Sequence, residues 1–175
     1  MIDAIGAEKT HLLGYSMGGW ISAGVAIHHP ERLQSLVIAG WDFVDGMTAA
    51  IGTDQIEFEA FMGLAREMAP ELTEWVTEAV TEALGPCLSQ LYDIEGAAAA
   101  VLNLDIPVLL WNGQDDPYHD PMLAFSRQHG LQFFSTDGDH MEAMIGGAPQ
   151  VLPTLRRFFA NACSPACSSS VGPRS

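Results

Sequence analysis

Thr10-His11-Leu12-Leu13-Gly14-Tyr15-Ser16-Met17-Gly18-Gly19 is the stretch on which the reading of this chain turns. Its first six residues are short and mostly apolar, as a buried strand requires, and Ser16-Met17-Gly18-Gly19 closes them with a tight turn. From Met17 to His29 small and apolar residues continue as a helix, stopped by Pro30. Strand, sharp turn and helix in that order give Gly14-Tyr15-Ser16-Met17-Gly18 the setting that a G-x-S-x-G nucleophile elbow needs. The serine at such a turn takes a strained backbone. Glycines on both sides are expected because a Cβ would collide with neighbouring chain, and Gly19 lets the helix pack close to the sheet.

Working outward, residues 2–8 read as the end of a helix. Residues 33–39 read as a second strand ended by Gly40, and 106–111 as a third. Pro107 at the start of the third is tolerable because only an early ladder donor is lost. Residues 120–129 suit a helix, 131–135 a fourth strand, and 149–161 a last helix. Nearly all-apolar strands alternating with helices predict a mostly parallel sheet of about four strands, covered on both faces. The interval from about residue 42 to 104 breaks that rhythm and reads as a helical cap insertion. There Leu72, Trp75, Val76, Ala79, Val80, Ala83 and Leu84 form one apolar stripe, and Glu71, Glu74, Glu78 and Glu82 a solvated opposite face. Residues 162–175, rich in Ser, Pro and Cys, show no periodicity and read as a disordered tail.

Composition narrows the partners. The chain has 175 residues, enough for one domain, with 7 Lys and Arg against 22 Asp and Glu, hence a net charge of −15. Such a surface repels phosphate backbones and anionic lipid, which disfavours nucleic-acid and membrane-surface partners. No apolar run approaches the roughly 20 residues that span a bilayer, and no stretch is laid out as a secretory signal. The three cysteines, Cys87, Cys163 and Cys167, are too few and too badly placed for a disulfide framework or a metal site. A cytoplasmic setting is the expectation.

A serine hydroxyl is a poor nucleophile until a base takes its proton, and the base needs a carboxylate to hold its tautomer. On an elbow of this type the chain order is serine, acid, histidine, with the last two on loops after later strands. Trp111-Asn112-Gly113-Gln114-Asp115-Asp116-Pro117 follows one strand end, and Ser135-Thr136-Asp137-Gly138-Asp139-His140 follows the next. Either Asp115 or Asp116 can be the acid, the other being a turn former before Pro117. His11, His28, His29, His119 and His129 show no partner pattern and read as structural or surface residues.

On these motifs the chain resembles the α/β-hydrolase superfamily, in particular its small esterase and lactonase-like members with a G-Y-S-M-G-G elbow, from about Ile2 to Phe159. The resemblance implies a catalytic core over residues 1–161 and a serine nucleophile, Ser16. It also selects Asp116, three residues after the glycine that ends its strand, as the acid, and His140, which follows Gly-Asp, as the base. The backbone N–H of Met17 becomes an oxyanion-hole donor. No cofactor or metal is implied. The substrate expected is a small carboxylic ester or related acyl compound, with Phe58, Phe61, Met62, Met68 and Trp75 as candidates for an apolar pocket. Lactonase, thioesterase, perhydrolase and C–C hydrolase chemistry run on the same triad.

Members of this superfamily have several strands before the nucleophile strand, and a loop among them gives a second oxyanion donor. Only fifteen residues precede Ser16, so a partial fold is expected, with one donor instead of two. Losing one donor typically costs on the order of a hundred- to a thousandfold in rate, which makes an impaired remnant the competing expectation. The strand at 10–15 would then form an open sheet edge, and a homodimer joined through it is expected.

Overall fold

The structure is a computed structural model, and it describes residues 2–47, 58–68, 70–74, 76–88 and 94–163. Strands β1 (Thr10–Tyr15), β2 (Leu33–Ala39), β3 (Val108–Gly113) and β4 (Gln132–Thr136) form one sheet in the order β1-β2-β3-β4. Every neighbouring pair is parallel. The helices are α1 (Met17–His28), α2 (Phe58–Met68), α3 (Pro70–Thr73), α4 (Glu78–Leu88), α5 (Ala97–Leu102), α6 (His119–His129), α7 (His140–Gly146) and α8 (Ala148–Ala162). No described helix is long and apolar enough to cross a membrane.

Alternation along the inner strands divides the core in two. Leu36, Ile38, Val108 and Leu110 face Ala23 and Ala26 of α1, Ala97 and Val101 of α5 and Met122 of α6. Val37, Ala39, Leu109 and Trp111 face Val151, Leu155 and Phe158 of α8. Both faces of β2 and β3 are thus covered, which is why those strands carry unbroken apolar runs instead of alternating ones. Their C-terminal ends, with that of β1, point to one side of the sheet, where Ser16, Gly40 and Asp116 follow.

Several boundaries differ from the sequence reading. Residues 2–8 hold only a 3-10 turn, Asp3–Ile5, which Gly6 ends at φ 68°. The third strand begins at Val108 and runs on to Gly113. Pro107 stays outside it and only lends its carbonyl to the N–H of Leu36. The fourth strand is shifted by one residue, to Gln132–Thr136. Helix α7 was not anticipated, and α8 begins after it at Ala148. The apolar stripe of 72–84 does not lie on one helix, because α3 ends at Thr73 and α4 starts at Glu78. Glu74, Glu78 and Glu82 are exposed. Phe58 and Phe61 pack against the main core and Met62 is buried. Trp75, the side chain of Met68 and the tail from 164 lie outside the described residues.

Candidate active site

Ser16 sits at φ 55° and ψ −118°, and among the described residues it is the one non-glycine with positive φ. That backbone is costly for a residue with a Cβ, and it holds because the turn is fixed from both sides. The Ser16 N–H donates to the carbonyl of Ala39 at 2.9 Å, and its carbonyl accepts from the N–H of Trp20 at 3.1 Å. A Cβ on Gly14 would strike the carbonyl of Gly18, and one on Gly19 would lie 2.8 Å from the Trp41 Cβ and 2.9 Å from the Ala39 carbonyl. The expectation of crowding at both flanking glycines is met only in part, since a Cβ on Gly18 has open space. What the second flanking position supplies is its backbone carbonyl, which fills the place where a Gly14 side chain would stand.

The elbow sets the serine at the N-terminus of α1. The first N–H groups of a helix, here beginning with Met17, have no acceptor within it and carry the positive end of its dipole.

His140 is the first residue of α7, and its ring joins the two remaining candidates. Nε2 lies 2.9 Å from Ser16 Oγ and Nδ1 lies 2.8 Å from Asp116 Oδ2. With Nδ1–H donating to the carboxylate, Nε2 is left as the acceptor for the serine hydroxyl. The Asp116 side chain is 0% exposed and that of His140 is 18% exposed. The other carboxylate oxygen, Oδ1, accepts the N–H of Tyr118 at 2.9 Å, so the buried charge is satisfied on both sides. Asp115 is exposed and gives its N–H to the Gly138 carbonyl at 3.0 Å. Between the two aspartates it is thus Asp116 that the structure brings to His140.

A capping box anchors the histidine loop. Asp139 Oδ1 accepts the N–H groups of Met141 and Glu142 at 2.8 and 2.9 Å, and Glu142 Oε2 accepts the N–H of Asp139 at 3.1 Å. One helical turn of spacing between Asp139 and Glu142 is a readable signal for this cap, and with it for α7.

Three histidines without a partner pattern in the sequence have polar partners in the structure, the first being His29, whose Nδ1 lies 3.7 Å from Glu31 Oε1. His119 bridges Asp120 and Ser135, and His11 bridges Ser35 at 2.7 Å and the Cys163 sulfur at 3.3 Å. Asp120 is adjacent to His119 in sequence, but the Ser135, Ser35 and Cys163 contacts come from other elements and no spacing encodes them. Among the described residues no three His, Cys, Asp or Glu side chains converge as a metal site would require.

A family profile described as alpha/beta hydrolase fold matches residues 1–84, the part that carries the elbow. Solved structures of this fold follow the chain much further. One, from a study of carboxylesterases of Nitrososphaera gargenis, superposes with a TM-score of 0.66 at 14% identity, over 92% of this chain and 68% of its own. Both the elbow region and the sheet thus point one way. The chain has the α/β-hydrolase fold. An enol-lactonase of Burkholderia xenovorans superposes on this chain with a TM-score of 0.59 at 16% identity, over 91% of the chain and 68% of the lactonase. Sequence relatives match over a shorter span. A pimeloyl-[acyl-carrier protein] methyl ester esterase of Aeromonas hydrophila is 50% identical over 36 residues, which are 21% of this chain and 14% of the esterase. A 2-hydroxy-6-oxo-6-phenylhexa-2,4-dienoate hydrolase of Comamonas testosteroni is 45% identical over 40 residues, 23% of this chain and 14% of its own.

Proposed function

We propose that this chain is a serine hydrolase of the α/β-hydrolase superfamily that cleaves a small carboxylic ester or related acyl compound through an acyl-enzyme. The observation that carries the reading is the unbroken hydrogen-bond chain from Ser16 Oγ through His140 to the buried Asp116 carboxylate. Ser16 Oγ attacks the carbonyl carbon as His140 Nε2 takes its proton. The oxyanion that forms meets the N–H of Met17 at the positive end of α1. His140 then gives the proton to the departing alcohol, and a water deprotonated by the same ring releases the acid. Asp116 holds the tautomer and stabilises the imidazolium in both halves.

The test is a panel of p-nitrophenyl esters, lactones and thioesters, run on the protein and on Ser16→Ala. Ester turnover lost in the variant is the expected result. Turnover that survives the variant overturns the nucleophile, and a folded protein inert to the whole panel favours an impaired remnant. The lactonase and dienoate hydrolase among the similar proteins favour a second reading, another hydrolysis on the same relay, which preference for a non-ester member of the panel would support.

Two expectations from the sequence belong to the same proposal, a cytoplasmic setting and self-association. β1 ends the described sheet with β2 on one side only, and Leu13 is 41% exposed. Antiparallel pairing of two such edges would give one continuous sheet of eight strands. Net charge of −15 opposes it, so association should strengthen with salt. Sedimentation at several protein and salt concentrations is the check, and a monomer throughout would remove this part of the proposal.

A further inference from the structure

Tyr15 lies directly before the elbow serine and reaches the histidine loop by a route that bypasses the serine hydroxyl. Its hydroxyl donates to the backbone carbonyl of His140 at 2.8 Å. Its ring packs against the His140 imidazole with centroids 5.3 Å apart, and edge-on against Trp111 at 5.2 Å. The Tyr118 ring stands 6.0 Å from the same imidazole. The end of β2 is shaped for this arrangement. A Cβ on Gly40, which sits at φ +56°, would come within 2.6 Å of the Tyr15 ring and 3.1 Å of His140 Cε1.

We propose that Tyr15 is a positioning residue for the hydrolytic reaction, tying the loop of the base to the elbow of the nucleophile. The inference rests on the serine-hydrolase reading above. Ser16 and Tyr15 share one rigid turn, so a bond from Tyr15 to the His140 backbone sets the distance between nucleophile and base. It does so whether or not the Ser16–His140 hydrogen bond is made. That matters during turnover, because acylation consumes the serine hydroxyl and removes this bond. The imidazole must still face the incoming water, and among its anchors the bond from Tyr15 remains. Burial first, and then the charges of Asp116 and Asp139, push the Tyr15 hydroxyl above its ordinary range. It therefore keeps its proton wherever His140 can act as base, and it is a permanent donor.

Tyr15→Phe keeps the ring and its packing and deletes only the donor. With p-nitrophenyl acetate as probe substrate, kcat should fall about tenfold and KM should fall with it, leaving kcat/KM little changed, because slower deacylation lets the acyl-enzyme accumulate. Deacylation should suffer more than acylation, so pre-steady-state traces should show a more pronounced burst than the parent protein. A role limited to stability would lower Tm and leave kcat and the burst unchanged. That outcome in a folded variant overturns the inference. The wild-type protein supplies a second readout should the variant fail to fold or the parent prove inert to esters. Its Tyr15 hydroxyl proton should give a resolved NMR resonance with a cross-peak to His140. A hydroxyl in fast exchange with water overturns the inference. Absence of ester turnover with that cross-peak present counts against the hydrolase reading and not against the Tyr15–His140 tie.

Discussion

His140 and His119 make the same two bonds with the same two ring atoms. Nδ1 meets an aspartate at 2.8 Å and Nε2 a serine at 2.9 Å in both, and each histidine is the first residue of its helix. Residue types, ring atoms and distances therefore do not separate the proposed catalytic relay from a structural one. The surroundings do. The Asp116 side chain is wholly buried, with its second oxygen held by a backbone N–H, whereas the Asp120 side chain is 92% exposed. Water screens the second carboxylate and leaves it little hold on the ring. Ser16 stands on a strained turn at the positive end of a helix. Ser135 lies inside β4, in register with Asn112 of β3, with its backbone committed to the ladder. One relay is aimed at a place where negative charge can be received. The other ties α6 to β4.

The carboxylates offer the largest break in this comparison. Asp116→Asn should leave the fold nearly intact and cut ester turnover by about 10⁴-fold, because the amide disturbs the tautomer that His140 needs. Asp120→Asn should leave kcat/KM within about twofold. Steady-state kinetics on the two purified variants check both, and equal losses would erase the distinction drawn here.

The helix starts differ too, and a second pair of variants sharpens that point. α7 begins with a capping box, whereas α6 has Tyr118 at its N-cap with no side-chain cap bond. Asp139→Ala frees two N–H groups beside His140, the proposed base. It should cost about 1 kcal/mol of stability and about tenfold in kcat. Tyr118→Ala would also remove ring packing, so the cleaner counterpart is Asp120→Ala, which should cost no more than a few tenths of a kcal/mol. Thermal melts set beside initial rates separate the two effects.

The elbow, α1 and β2 were legible because their runs are short, apolar and bounded by glycine or proline. His140 and the Asp115–Asp116 pair stood out because each follows a strand end, whereas the choice of Asp116 over Asp115 came from the family resemblance. What could not be read was anything set by three-dimensional company. Tyr15 looks like any strand residue until its hydroxyl is seen on the His140 carbonyl. The His119 relay joins α6 to β4, and no spacing encodes that. The interruption between α3 and α4 was hidden because an apolar stripe continues in sequence through residues where the helix itself stops. Helix α7 is seven residues long, too short for periodicity, and only its cap announced it.

The smallest effect expected lies far from either relay. Asp3 accepts a hydrogen bond from Arg32 Nη2 at 2.6 Å, and that bond, followed by the charge of Arg32, lowers its carboxyl below the usual 3.8. A carboxylate depressed by folding contributes stability above its unfolded value and loses it as pH falls through the folded one. Asp3→Asn should therefore lower Tm slightly at pH 7, and the difference should shrink as pH falls through the folded value. A difference that persists in acid would show that the contact acts through something other than charge.

The most direct measurement reacts the folded protein with a fluorophosphonate probe and locates the adduct by peptide mass spectrometry. The adduct should lie on Ser16 alone, should vanish in Ser16→Ala and should persist in Ser135→Ala. A folded protein that takes no label, or a label carried by Ser135 or any other serine, would contradict the account.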